Sequence, residues 1–152
     1  MILTTHALIG AAVGKNIANL WLIPFITIPL HFLMDHLRHG DYLNKDSRFR
    51  NTWWKIALDL FAGIIIVFLI VHYQNLDSHT TWQIIIGMFS AMLPDLLTAL
   101  NKEFDCFILN RIHDFHAWCH KYPAFSKERL WTLRNGANDI MLSVLAIAIL
   151  FL

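Results

Sequence analysis

The chain has 152 residues, 57% of them hydrophobic and only 15% charged, with a formal net charge of +1. Mean hydropathy is positive. This composition lies far outside soluble averages, so an integral membrane protein is expected and a nucleic-acid partner is not.

Apolar runs at residues 2–14, 17–37, 56–73, 80–100 and 139–152 predict an all-α fold, a small integral-membrane helical bundle in one domain over 1–152. The three middle runs approach the ~20 residues that cross hydrocarbon, and the outer two are shorter and tilt, thin the bilayer or enter part way. Residues 63–71 and 84–93 are apolar nearly all round, which argues against a soluble bundle with greasy helices. The first run lacks the basic start of a signal sequence. Loop 38–55 carries Arg38, Lys45, Arg48, Arg50 and Lys55, loop 101–138 carries six more basic residues, and loop 74–79 carries none. The positive-inside rule makes the two basic loops cytoplasmic, with Lys15 the one exception.

That orientation brings the embedded ionisable residues to one layer. In the first helix His6 sits near the inner start, and Gly10 with Gly14 forms a small-residue pair that lets a neighbour approach closely, as Gly87 with Ala91 does in the fourth. The second helix ends in His31-x3-Asp35-His36, followed by His39-Gly40-Asp41-Tyr42. His31 and Asp35 are i and i+4 and share a face; His36 points away, His39 belongs to the loop mouth, and Gly40 is expected to end the helix.

Asp59 opens a dozen apolar residues, with a Lys55–Asp59 i,i+4 pair as the structural explanation. Pro94-Asp95 lies inside an apolar helix, where proline frees a carbonyl and bends or breaks the turn. In loop 101–138, His113, His116 and His120 fall within about 60° of arc if helical. This stretch is expected to be an interfacial helix, with Trp118 and Tyr122 as anchors. Cys106 and Cys119 are too isolated for a zinc motif, and no disulfide is expected between them. Asp139 starts the last run, near the same level as His6.

Thr5-His6, His31-x3-Asp35, His39-Gly-Asp41-Tyr42, Asp59, Leu93-Pro94-Asp95 and His113-x2-His116 with Trp118 together resemble the predicted membrane-bound metal-dependent hydrolases, a family that includes the LexA-binding, inner-membrane-associated hydrolases. The resemblance covers most of the chain through short motifs. It departs where Arg38 precedes His39 in place of a common proline, and where Leu96-Leu97 follow Asp95 in place of a longer acidic run. The second departure leaves Asp95 as the lone ligand from its helix. The resemblance implies hydrolysis in a bacterial inner membrane.

The residues themselves suggest a metal site of His6, His31, Asp35, Asp59, Asp95 and one or both of His113 and His116. Such a mixed set suits Zn foremost, or Mn or Fe, and holds one ion with spare partners or two. His120 is expected to move the proton. A membrane lipid or other amphiphilic substrate near the cytoplasmic leaflet fits the depth. Arg38, Arg111 and Lys121 could meet a phosphate, though their simpler role is topological. The competing reading is non-enzymatic, a scaffold or assembly protein fixed by a buried His/Asp cluster. Ion handling is disfavoured by the apolar outer halves of the helices, and a homo-oligomer is left open.

Overall fold

A computed structural model describes every residue except 43–48, 102, 103 and 105, and the backbone alone at Phe49 and Arg50. Lys45, Arg48 and Lys102, part of the basic-loop argument, lie outside the described residues, as does the Arg50 side chain. Among the described residues the chain forms α1 (Leu3–Lys15), α2 (Leu22–Asp35), α3 (Phe49–Gln74), α4 (Ser78–Asn101), α5 (Phe107–Cys119), a 3₁₀ turn (Lys127–Arg129) and α6 (Leu133–Phe151), with no strand.

Three of these, α3, α4 and α6, are long and apolar enough to cross a membrane. The expected set was the three middle runs, and two boundaries explain the difference. Residues 17–21 turn instead of extending α2, and Asn19 Oδ1 accepts from the Trp21 amide at 3.0 Å. At 14 residues α2 spans only about 21 Å. At the other end α6 begins at Leu133, six residues before the last apolar run, because the Thr132 side chain caps it by accepting from the Asn135 amide. Only 17% of the most apolar window of α3 is buried inside the protein, so its Phe61, Ile65, Phe68 and Leu69 face outward. An outward apolar surface of this size suits lipid and not water.

The short α1 is the axis of the bundle. Nine of its 13 residues are buried, and it packs against α2, α3, α4 and α6. The expected small-residue contact is present: a Cβ built at Gly10 would fall on the Gly87 carbonyl oxygen, and one at Gly14 on that of Gln83. Absent side chains there let the α1 and α4 backbones touch, the close packing that stands in for the hydrophobic effect between helices in lipid.

A buried helix start exposes amides that no water can satisfy. The Ile2 position that caps α1 supplies no side-chain bond. Two other helices do so instead. Asp59 of α3 accepts from the Leu3 and Thr4 amides at 2.7 and 3.0 Å and from Thr4 Oγ1 at 2.7 Å, and Asp139 of α6 accepts from the Ile2 amide at 3.1 Å. At the far end, Lys15 Nζ and Gln74 Nε2 both donate to the Leu150 carbonyl at 2.7 Å, and Gln83 Nε2 donates to that of Ile17 at 2.8 Å. The starts of α1 and α6 and Asp59 of α3 thus share one end, with α2 and α4 running the opposite way. Lys15, the exception to the charge rule, is a helix cap.

Gly40 does not terminate α2, which ends at Asp35. Its missing Cβ makes room for Trp131, whose Cε3 would lie 2.7 Å from it. The loop after α2 is fixed to the segment before α6 by the Asp41 amide donating to the Arg129 carbonyl at 2.7 Å and Asn138 Nδ2 donating to that of Arg38 at 2.7 Å.

Candidate metal centre

The His/Asp end gathers side chains from four helices, and the amino group of the chain's first residue. Position i,i+4 on α2 puts His31 Nε2 3.1 Å from Asp35 Oδ2. From α5, His116 Nε2 stands 2.8 Å from the same oxygen and 3.3 Å from His31 Nε2. From α4, Asp95 Oδ1 lies 4.0 Å from His31 Nε2 and 3.7 Å from His116 Nε2. From α1, His6 Nε2 is 3.2 Å from Asp35 Oδ1 and 3.7 Å from Asp95 Oδ2, its ring stacked on His31 at 4.0 Å. The amino group of Met1 stands 2.6 Å from Asp35 Oδ1. The side chains of His31 and Asp35 are fully buried and that of His116 nearly so, while Asp95 is 25% exposed and opens the group outward.

The orientation of the rings matters as much as the distances. His31 Nδ1 lies 2.7 Å from the Ala91 carbonyl oxygen, which can only accept, so the neutral ring carries its proton on Nδ1. Its Nε2 lone pair then faces the Asp35 carboxylate. Pro94, in the same turn as Ala91, has no N–H to give the Ser90 carbonyl, and α4 continues through it to Asn101 without a break. His116 Nδ1 is held 2.8 Å from Thr98 Oγ1, which leaves its Nε2 aimed at His31 and Asp35. Lone pairs at 2.8 and 3.1 Å from Asp35 Oδ2 are repulsive unless a proton or a cation lies among them, and the Met1 amino group lies on the other oxygen, Oδ1.

His31, Asp35, Asp95 and His116 each offer one ligand atom, all within 4.8 Å of one another. A tetrahedral zinc ion with ligands at 2.0–2.1 Å separates them by roughly 3.3 Å, close to the observed 2.8–4.0 Å. Outer partners that orient the imidazole are a regular part of such sites; here the Ala91 carbonyl fixes the His31 tautomer and Thr98 Oγ1 holds the His116 ring. The residues fit a metal of the imidazole and carboxylate class.

Of the expected ligands, four fall in this group and His6 adjoins it. Asp59 and Asp139 do not join it; their oxygens serve the α1 amides. Burial, with Asp59 beside it, holds the Tyr42 hydroxyl protonated by raising its pKa. His113 is half-buried and outside the group. The expected proton carrier, His120, has Nδ1 3.1 Å from the Asp35 carbonyl and Nε2 3.7 Å from Asp35 Oδ2. Burial, seconded by Arg129, lowers its pKa to about 3 against the opposing pull of Asp35, so the ring is neutral. Of the residues set aside, His36 is exposed and binds the Cys119 carbonyl, as expected, whereas His39, placed in the loop mouth, is 2% exposed. Thr98 carried no signal; the His39-Gly-Asp41 motif did. Both cysteines are free thiols.

Compared with known families, with curated proteins and with solved structures, the chain matches none.

Proposed function

We propose that this protein is a membrane-embedded, metal-dependent hydrolase that cleaves an ester or phosphoester of an amphiphilic substrate at the membrane face. The observation that carries the reading is the convergence of His31 Nε2, His116 Nε2 and the Asp35 and Asp95 carboxylates, with the His31 tautomer set by the Ala91 carbonyl and the His116 ring held by Thr98. Zinc is the favoured ion, with manganese or iron as the other candidates. When bound, such an ion acidifies water and polarises an ester or phosphoryl oxygen. The protein's own part is to hold His31 and His116 as lone-pair donors, to neutralise charge with Asp35 and Asp95, and to admit substrate past the exposed edge of Asp95.

An apolar rim supports a lipid-like substrate: Leu33, Leu37, Leu93, Leu96 and Trp118, neighbours in sequence of the site residues, are all exposed. Arg38 and Lys121 both lie over the Tyr122 ring, at 5.4 and 5.7 Å from its centroid, where they could meet a phosphate. The distribution of Lys and Arg supports a site facing the cytoplasm of a bacterial inner membrane, and the motif resemblance points the same way.

A scaffold with a buried polar cluster is the second reading, favoured by Asp59 and Asp139, which accept from amides at the start of α1. The two are separated by assaying hydrolysis of ester and phosphoester amphiphiles in mixed micelles, before and after chelation. The hydrolase reading expects activity that chelator abolishes, Zn²⁺ or Mn²⁺ restores, and His31→Ala removes without loss of helical content. Hydrolysis indifferent to chelator and to His31→Ala, or none with any such amphiphile, would contradict it.

A further inference from the structure

Adjoining the first group, and sharing Asp35 with it, lies a second set of ligand atoms. Asp35, His39 and His120 each offer one, all within 4.8 Å of one another. His39 comes from the loop after α2 and His120 from the residue after α5, so three otherwise separate segments meet at the end of α2. His39 Nδ1 lies 2.8 Å from the Leu37 carbonyl and His120 Nδ1 3.1 Å from that of Asp35. Both carbonyls can only accept, so both neutral rings present Nε2 as a lone pair. His39 Nε2 is buried and has no hydrogen-bond partner among the described residues. Asp41 Oδ1 is 3.4 Å from it, while Arg129 holds the other Asp41 oxygen at 2.6 Å. The His39 and His120 rings are 5.2 Å apart between centroids.

We infer that His39, His120 and Asp35 form a second divalent-cation site, with Asp35 as the carboxylate shared between two ions. The inference rests on the metal-hydrolase reading above and adds the number of ions and a new role for two histidines. It assigns His120 to metal binding and not to proton transfer. It also draws His39 from the loop mouth into the centre. Three features favour it over a polar cluster at rest: a buried ring nitrogen without a hydrogen bond, tautomers fixed by backbone carbonyls, and a carboxylate met by ring nitrogens of both groups, His120 Nε2 lying 3.7 Å from Asp35 Oδ2. The loop bearing His39 is held in place by the Asp41–Arg129 backbone bond and by Trp131 lying on Gly40, the rigidity that a loop ligand requires.

The test is Zn²⁺ content per chain after equilibrium dialysis of the detergent-purified protein. The inference expects two ions in the wild type, one in His39→Ala and in His120→Ala, and neither in Asp35→Asn. A wild type with one ion, unchanged in His39→Ala and His120→Ala, would overturn this second site and leave the first intact. A wild type with none would remove both. If the variants do not fold, electron paramagnetic resonance of the Mn²⁺-loaded wild type decides. A spin-coupled pair supports the shared carboxylate, and an isolated-ion spectrum overturns it.

Discussion

At the far end of the bundle Lys15, Gln74 and Gln83 give their polar hydrogens to backbone carbonyls, whereas at the other end Asp35 and Asp95 face imidazole nitrogens. Both ends bury polar atoms among apolar helices, where each unpaired group is costly. The far end is closed, because donors meet carbonyls left over at helix ends. The His/Asp end is not, because at Asp35 Oδ2 and Asp95 Oδ1 acceptors meet acceptors, while the Met1 amino group lies on the other Asp35 oxygen, Oδ1, at 2.6 Å. Asp59 and Asp139 show that the division is by partner and not by position. They lie at the His/Asp end but bond to amides, as the residues of the far end bond to carbonyls.

The largest effect that sharpens this contrast is expected at Thr98. Thr98→Val removes the partner of His116 Nδ1 without touching a ligand atom, and should weaken metal affinity about 10–100-fold. Competition with a chromophoric chelator measures this, and an unchanged affinity would mean that the His116 ring is oriented otherwise. Lys15→Met, at the closed end, should lower stability by about 1 kcal/mol in detergent-resisted thermal unfolding and leave metal content unaltered. The smallest effect is expected at Asp77, which caps α4 by accepting from the His79 and Thr80 amides and Thr80 Oγ1. Those Thr80 bonds depress its pKa. Its contribution is therefore present above the unfolded value of about 3.9 and lost as pH falls through the lower folded value. Asp77→Asn should flatten the acid limb of a melting-temperature profile slightly, and an unchanged limb would show that this cap carries no stability.

The residues that make the open cluster were legible because two independent patterns agree on them. The basic loops alternate with an uncharged one, which predicts alternating helix directions and so brings His6, His31, Asp35 and Asp95 to one end, while helical spacing turns His31 and Asp35 to one face. The same logic selected Asp59 and Asp139, since a sequence displays an acid but not the backbone amides it will meet. Their partners are the uncapped first turn of α1, a need that arises only once that helix is buried. The beginning of α6 was hidden because Arg134, Asn135 and Asn138 break the apolar pattern of residues 133–138, although Thr132 is an N-cap residue type that could have been read. The break at residues 17–21 was hidden by apolar neighbours around Asn19. His39 was misplaced because a loop histidine after a helix reads as exposed, and only packing of Trp131 on Gly40 draws that loop inward.

The contrast between acids that face histidines and acids that face amides is tested most directly by metal content in the purified wild type, Asp95→Ala and Asp59→Ala. The account predicts the same bound metal in the wild type and in Asp59→Ala, and in Asp95→Ala the loss of the ion held with His31, Asp35 and His116, with helical content retained. Equal metal in all three proteins, or none in any, would contradict it.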